Sequence, residues 1–313
     1  MSAPIFDDKH ILALRGSKNK VDPRRPYAFI NEPECGAHGD LVDIATLFLT
    51  NRECPFRCLM CDLWKNTTDV TVATGDIPAQ IQFALDQLPP ASQIKLYNSG
   101  NFFDRKAIPL IDYEPIARLV SPFERVIVEN HPKLCNDDCL KFRDLIDGKL
   151  EIAMGLETVH PEVLPRLNKR MNLDDFERAT TFLLQNDIDV RAFILLRPPY
   201  LDESEGIEWA LKSMEFAFNI GVQCCAVIPT RPGNGAIESL ESVGFFEMPA
   251  LSSIETVLEK GLSMNKGRVF MDLWDLERFY DCNRCGPVRK KRLHQMNLQQ
   301  QLLPGVTCTC TTP

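Results

Sequence analysis

Glu53-Cys54-Pro55-Phe56-Arg57-Cys58-Leu59-Met60-Cys61-Asp62-Leu63-Trp64 is the stretch around which the chain is organised. Three cysteines fall at C-x3-C-x2-C within eight residues, directly after the apolar run 41–50. Thiolates packed this tightly in one loop either hold a metal or repel one another. Three of them suit an iron–sulfur cluster with one iron left open. A structural zinc site closes four ligands, usually in two pairs, and this loop supplies three. A zinc loop or a chance clustering of thiols is the plainer alternative.

Outward from the loop the chain alternates. Short apolar runs rich in Val and Ile at 41–50, 93–97, 125–128, 150–154, 190–196 and 222–228 read as buried strands. Between them Ile77, Ile81, Leu85 and Leu88 recur at helical spacing behind the N-cap candidate Asp76. A helix at 140–146 follows the cap candidate Asn136, and 174–185 and 203–220 supply two longer ones, the second ended by Gly221. Such alternation implies a parallel sheet, and six units make an open (β/α)6 partial TIM barrel.

Parallel barrels collect their chemistry at the C-terminal ends of the strands. After the first run comes the cysteine loop. After the others come Asn98-Ser99-Gly100-Asn101, Glu129-Asn130-His131, Gly155-Leu156-Glu157-Thr158, Arg197-Pro198-Pro199-Tyr200 and Pro229-Thr230-Arg231-Pro232-Gly233-Asn234-Gly235. Polar loops are expected anywhere, and this explains less well why Glu157 follows an apolar strand so closely.

The loop's spacing, set within this alternation, resembles the radical SAM superfamily. In that superfamily three cysteines hold three irons of a [4Fe–4S] cluster, and S-adenosylmethionine (SAM) chelates the fourth. One electron from the cluster breaks the sulfonium C–S bond, and the 5′-deoxyadenosyl radical released abstracts a hydrogen from substrate. The resemblance makes Cys54, Cys58 and Cys61 the cluster ligands. The residue before the third cysteine is usually aromatic; here it is Met60, whose thioether can also pack against an adenine ring. Ser99-Gly100 stands where the family has a glycine-rich turn, more often Gly-Gly-Glu, that meets the SAM amino group. Glu157 stands in the fourth-strand element whose carboxylate meets the SAM ribose or amino group; a turn or capping glutamate is the alternative. Arg197, after the strand that packs on adenine, either meets the SAM carboxylate or is a surface arginine.

Longer strings narrow the resemblance. Lys95-Leu96-Tyr97-Asn98-Ser99-Gly100-Asn101-Phe102-Phe103-Asp104, the stretch 151–158, and Phe193-Ile194-Leu195-Leu196-Arg197-Pro198-Pro199-Tyr200-Leu201 look like the archaeosine-biosynthesis radical SAM lyase family. The similarity runs through most of residues 41–240. Members of that family cleave a C–N bond in a lysine adduct of a 7-deazaguanine base in tRNA. The resemblance therefore implies a tRNA substrate and an external electron donor. Pro55-Phe56 and Asp62-Leu63-Trp64 depart from that family, which leaves room for a different substrate.

After Phe245 the pattern changes. Ser252 and Glu255 form a capping box before a short helix, and 268–273 reads as a further strand. Cys282 and Cys285, then Cys308 and Cys310, form C-x2-C and C-x-C pairs that can close a tetrahedral site, for zinc or an auxiliary cluster. A frayed tail of reduced thiols is the alternative. Between the pairs, Arg289-Lys290-Lys291-Arg292 and His294 are either a solvated helix face or an RNA-contacting knuckle. Cys135, Cys139, Cys224 and Cys225 read as buried thiols.

The expected organisation is an N-terminal extension, 1–40, with a short helix near 9–14, a core barrel, 41–245, and a cysteine-containing C-terminal extension, 246–313. The 313 residues are 44% hydrophobic and 25% charged, an ordinary globular composition. A net charge of -8 argues against broad nucleic-acid affinity and leaves room for a local basic patch. No apolar run approaches a membrane span, and the N-terminus has no signal-peptide pattern. Twelve cysteines without an export signal point to reduced, metal-ligating thiols in the cytoplasm. The expected activity is radical SAM chemistry on a modified nucleobase. The same chemistry on a small molecule or peptide is the second reading, and a non-catalytic iron–sulfur or zinc protein, which would not cleave SAM, is the third.

Overall fold

The computed structural model describes residues 4–308 and 310. Eight strands form one sheet in chain order: β1 Ala28–Cys35, β2 Leu41–Phe48, β3 Gln93–Tyr97, β4 Arg125–Asn130, β5 Lys149–Glu157, β6 Asp189–Leu196, β7 Cys224–Pro229 and β8 Arg268–Met271. β1 runs antiparallel to β2, and every later neighbour is parallel. Crossover segments separate the parallel strands, most of them helical, so the twisted sheet curls into an open half-barrel. The six expected barrel strands are present, the further strand expected at 268–273 is β8 at one edge, and the unexpected β1 extends the sheet at the other.

Strand periodicity divides the sheet into two chemistries. One face carries Leu47, Ile94, Leu96, Val126, Val128, Ile152, Ala192 and Ile194, all buried in the main apolar core with the helices. The other face lines the barrel, and its floor is charged. Lys95 pairs with Glu34 at 2.5 Å, Arg191 with Glu34 and Glu151 at 2.7 Å each, and Arg125 with Glu151 at 3.0 Å. Charges this deep persist because each meets an opposite partner.

The seam between β1 and β8 is covered by the helix Gly286–Gln299, which packs against both. The free edge of β8 is satisfied by side-chain amides. Asn297 Oδ1 accepts from Met271 N at 3.0 Å and its Nδ2 donates to Met271 O at 2.8 Å. Gln300 does the same for Val269, at 2.8 and 2.9 Å. An edge strand is thereby closed without a ninth strand. Among the described residues no helix is long and apolar enough to cross a membrane.

Candidate functional site

The cysteine loop leaves the C-terminal end of β2 and is held by contacts on several sides. At its entry Asn51 Nδ2 donates to Asn98 O at 2.7 Å, tying it to the turn after β3. Glu53 is gripped by Arg15 at 2.7 Å, Lys18 at 2.8 Å and Arg57 at 3.2 Å. Leu59 N donates to Leu167 O and Asn168 Nδ2 to Arg57 O, both at 2.8 Å. Asn234 Nδ2 donates to Leu59 O at 2.7 Å from the loop after β7. A segment without regular structure around its thiols is thus fixed by its neighbours.

Burial pushes the Cys54 thiol up to about 11 and those of Cys58 and Cys61 up to about 12. Each is raised further by another: Cys54 by Cys61, Cys58 by Cys54, and Cys61 by Cys58. Three thiolates therefore coexist here only against added positive charge, which a thiophilic metal centre supplies. One donor is already in place, since Asn101 Nδ2 donates to Cys54 Sγ at 3.1 Å. The donor set, its burial and this hydrogen bond fit an iron–sulfur cluster.

The turn after β3 is pinned from β4. Glu129 Oε1 accepts from Asn98 N at 2.6 Å and Gly100 N at 3.2 Å. Burial pushes the Glu129 carboxyl up to about 7 against these hydrogen bonds. Ser99 has φ 53° and its hydroxyl lies 2.9 Å from that of Tyr27. An added Cβ on Gly100 would sit 3.5 Å from Cys54 Cβ, an ordinary contact, so packing within the protein does not demand glycine there.

A bulge interrupts the β5–β6 ladder between Gly155 and Glu157. Glu157, at φ 65°, turns its carboxylate back over Gly155 and pairs with Lys169 at 2.7 Å. Both residues of the pair are buried. Burial opposes the Lys169 charge, but Glu157 and the Cys58 and Cys54 thiols hold the ammonium above its ordinary value. Lys169 is the residue that sequence reasoning missed. It lies in a turn between Asn168 and Arg170, both at positive φ, and no periodicity points to it. An added Cβ at Gly155 would collide with Glu157 Oε1 and Lys169 Nζ, so this glycine makes room for the pair.

Arg197 also has positive φ, 52°, and its guanidinium is met by Glu203, Glu247 and the carbonyl of Met248. Met60 is half-buried against a small apolar cluster that includes Leu59, Leu195 and Phe246. On the lumen face above the charged floor stand aromatic rings. Phe48 lies 6.2 Å from Tyr97, 5.7 Å from Tyr27 and 6.0 Å from Trp274, and Tyr97 lies 6.1 Å from Phe193. Trp274 is 52% exposed at the end of the series.

The second group of thiols is also assembled. The sulfurs of Cys282, Cys285, Cys308 and Cys310 all lie within 4.8 Å of one another. The basic run between the pairs belongs to the helix Gly286–Gln299, and most of its charge is already met. Arg289 pairs with Glu255 at 2.7 Å, Arg292 with Glu259 at 2.5 Å, and Lys290 with Glu277 at 2.5 Å. The run is a helix whose Arg289 and Arg292 are buried, while Lys291 and His294 remain exposed.

No protein-family model matches the chain. An uncharacterized protein of Methanocaldococcus jannaschii is 23% identical over 318 residues, covering 94% of this chain and 87% of that one. Archaeosine synthase subunit beta of Methanosarcina acetivorans is 24% identical over 217 residues, 65% of this chain and 61% of that protein. Among solved structures, methylornithine synthase superposes with a TM-score of 0.54 at 18% identity, covering 82% of this chain and 74% of that one. The chain has a curled, radical SAM-like α/β half-barrel with a four-cysteine cluster near its C-terminus.

Proposed function

We propose that the protein is a radical SAM enzyme whose substrate is a modified 7-deazaguanine base in tRNA. The observation that carries the radical reading is the loop of three buried, mutually repelling thiols at a strand's C-terminal end, with a buried Lys169–Glu157 pair beside it. When bound at Cys54, Cys58 and Cys61, a [4Fe–4S] cluster with SAM on its open iron supplies one-electron cleavage to a 5′-deoxyadenosyl radical. The chain's own part is positioning and exclusion of water. Asn101 donates toward the Cys54 sulfur, and the Lys169 ammonium offsets thiolate charge. Glu157, fixed by Lys169, offers a carboxylate to the ribose hydroxyls or the ammonium of SAM. The Ser99-Gly100 turn, held by Glu129, offers backbone free of a side chain for close approach. Arg197 reaches the SAM carboxylate only by releasing Glu203 or Glu247.

The substrate reading rests on the partial similarity to archaeosine synthase subunit beta and on the aromatic lumen. A planar base can stack on such rings, at roughly 1–3 kcal/mol per stack. The test is anaerobic incubation of reconstituted protein with SAM, reductant and bulk tRNA, followed by nucleoside mass spectrometry. The expected result is 5′-deoxyadenosine formation that tRNA stimulates, lost in Cys58→Ala. Undiminished cleavage in Cys58→Ala overturns the radical reading. Stimulation by a small metabolite and by no tRNA keeps the chemistry and replaces the substrate.

A further inference from the structure

We propose that Cys282, Cys285, Cys308 and Cys310 hold a single tetrahedral zinc ion, not a second iron–sulfur cluster. This ion fastens the C-terminal tail to the segment that forms one side of the barrel mouth.

The spacing decides between the two kinds of centre. The four sulfurs lie within 4.8 Å of one another, and Cys285 Sγ stands 3.8 Å from Cys310 Sγ. Zinc–sulfur bonds of about 2.3 Å in a tetrahedron set the sulfurs roughly 3.8 Å apart. A four-iron cube sits inside its thiolates and spreads them much wider. Four soft donors with no carboxylate or imidazole among them select zinc from the hard divalent ions. Binding displaces the thiol protons and involves no electron transfer.

The fold builds the two halves of this site independently of any ion. The first pair sits where the helix Gly286–Gln299 begins: Gly286 N donates to Cys282 O at 2.8 Å and Arg289 N to Cys285 O at 2.9 Å. The second pair is brought back along that helix. Arg292, buried in its middle, donates to Leu303 O at 2.6 Å and to Pro304 O at 2.7 Å, so the tail reverses and returns to the helix start. Closing this loop on a metal removes chain entropy that the Arg292 hydrogen bonds alone would leave.

The site stands at the mouth side of the barrel, because Cys282 follows β8 by a short segment from that strand's C-terminal end. That segment carries Trp274, whose ring meets Phe48, and Arg278, which donates to Pro232 O at 3.2 Å in the loop after β7. Its last ring, Tyr280, lies against Gly286, where an added Cβ would strike it. An ion that fixes Cys282 and Cys285 therefore fixes the end of the chain that presents Trp274 to the lumen.

The test uses the full chain with Cys54, Cys58 and Cys61 replaced by alanine, purified anaerobically, so that failure of the cluster reading cannot affect it. The expected result is one zinc and no iron per chain, with zinc lost in the added variant Cys308→Ser. On chelation, limited proteolysis opens cleavage within 272–308. A parallel measurement on the intact chain, stripped of metal and titrated with cobalt(II), guards against misfolding of the alanine variant. It should give the thiolate charge-transfer and tetrahedral ligand-field bands of a four-sulfur site, displaced by zinc. Iron retained in place of zinc, no metal retained by either protein, or zinc retained after Cys308→Ser overturns the proposal.

Discussion

Ser99, Glu157 and Arg197 hold φ of 53°, 65° and 52°, each at the point where a strand gives way to its loop. A left-handed non-glycine residue costs on the order of 1–2 kcal/mol, so each needs a neighbour that fixes it. Tyr27 does this for Ser99, Lys169 for Glu157, and Glu203 with Glu247 for Arg197. The positions themselves are legible in sequence, because the apolar runs stop there. Their partners are not, since Lys169 arrives from a separate turn and Tyr27 precedes the first strand. The glycine between strand and carboxylate gives a sharp test. Gly155→Ala drives a methyl group into Glu157 and Lys169, and should separate the pair. We expect destabilisation of roughly 2–4 kcal/mol and weaker SAM binding to reconstituted protein. Chemical denaturation and equilibrium dialysis measure both, and an unchanged midpoint with unchanged affinity would mean the pair has no fixed place.

At the scale of elements, β2 to β7 announce themselves because apolar residues dominate each run, even where Lys95, Arg125, Glu151 and Arg191 break it to face the barrel floor. β1 does not. Its sequence Ala28-Phe29-Ile30-Asn31-Glu32-Pro33-Glu34-Cys35 interrupts the apolar pattern with charges, and those charges feed the barrel floor. Pro33 is tolerated because the strand's outer edge is free. β8 has four residues and depends on amides supplied 26 and 31 positions later, a pairing that no local window contains. Asn297→Ala should therefore leave Met271 N and O without partners. The expected cost is roughly 1–3 kcal/mol, with faster hydrogen exchange at the Met271 amide. Asn297→Asp keeps the acceptor and loses the donor to Met271 O, so it should protect the amide while still lowering stability. Equal exchange in all three proteins would show that the seam is closed by apolar packing alone.

For the whole molecule, composition reports sums and the fold decides pairings. The net charge of -8 conceals a floor in which Glu34 and Glu151 meet Lys95, Arg125, Arg191 and Arg268. The run at 289–292 likewise looked basic until Glu255, Glu259 and Glu277 came beside it. These pairings fix the response to pH. Burial alone would raise the carboxyls of Glu34 and Glu151, but the cations around them, Arg191 foremost, hold both below the ordinary 4.5. A depressed carboxyl gives stability that is whole above its unfolded value and is lost as pH falls through the folded one. Glu129 has the opposite sign. Burial raises it to about 7, so its contribution is whole below 4.5 and is lost as pH rises toward 7. Stability measured by urea denaturation should therefore fall on acidification below about 4.5. It should also decline toward neutrality above about 6.5. Below that point the Glu129 effect is offset by buried His131, whose imidazole is held down to about 3 and loses its contribution as pH falls. Glu34→Gln should flatten the acid limb while lowering stability at neutral pH, because Lys95 and Arg191 lose a buried partner. Glu129→Gln should remove the decline toward neutrality and leave the acid limb intact. If both variants keep the parent's full pH profile, the acid response arises from surface carboxylates and the floor is not what the barrel loses first.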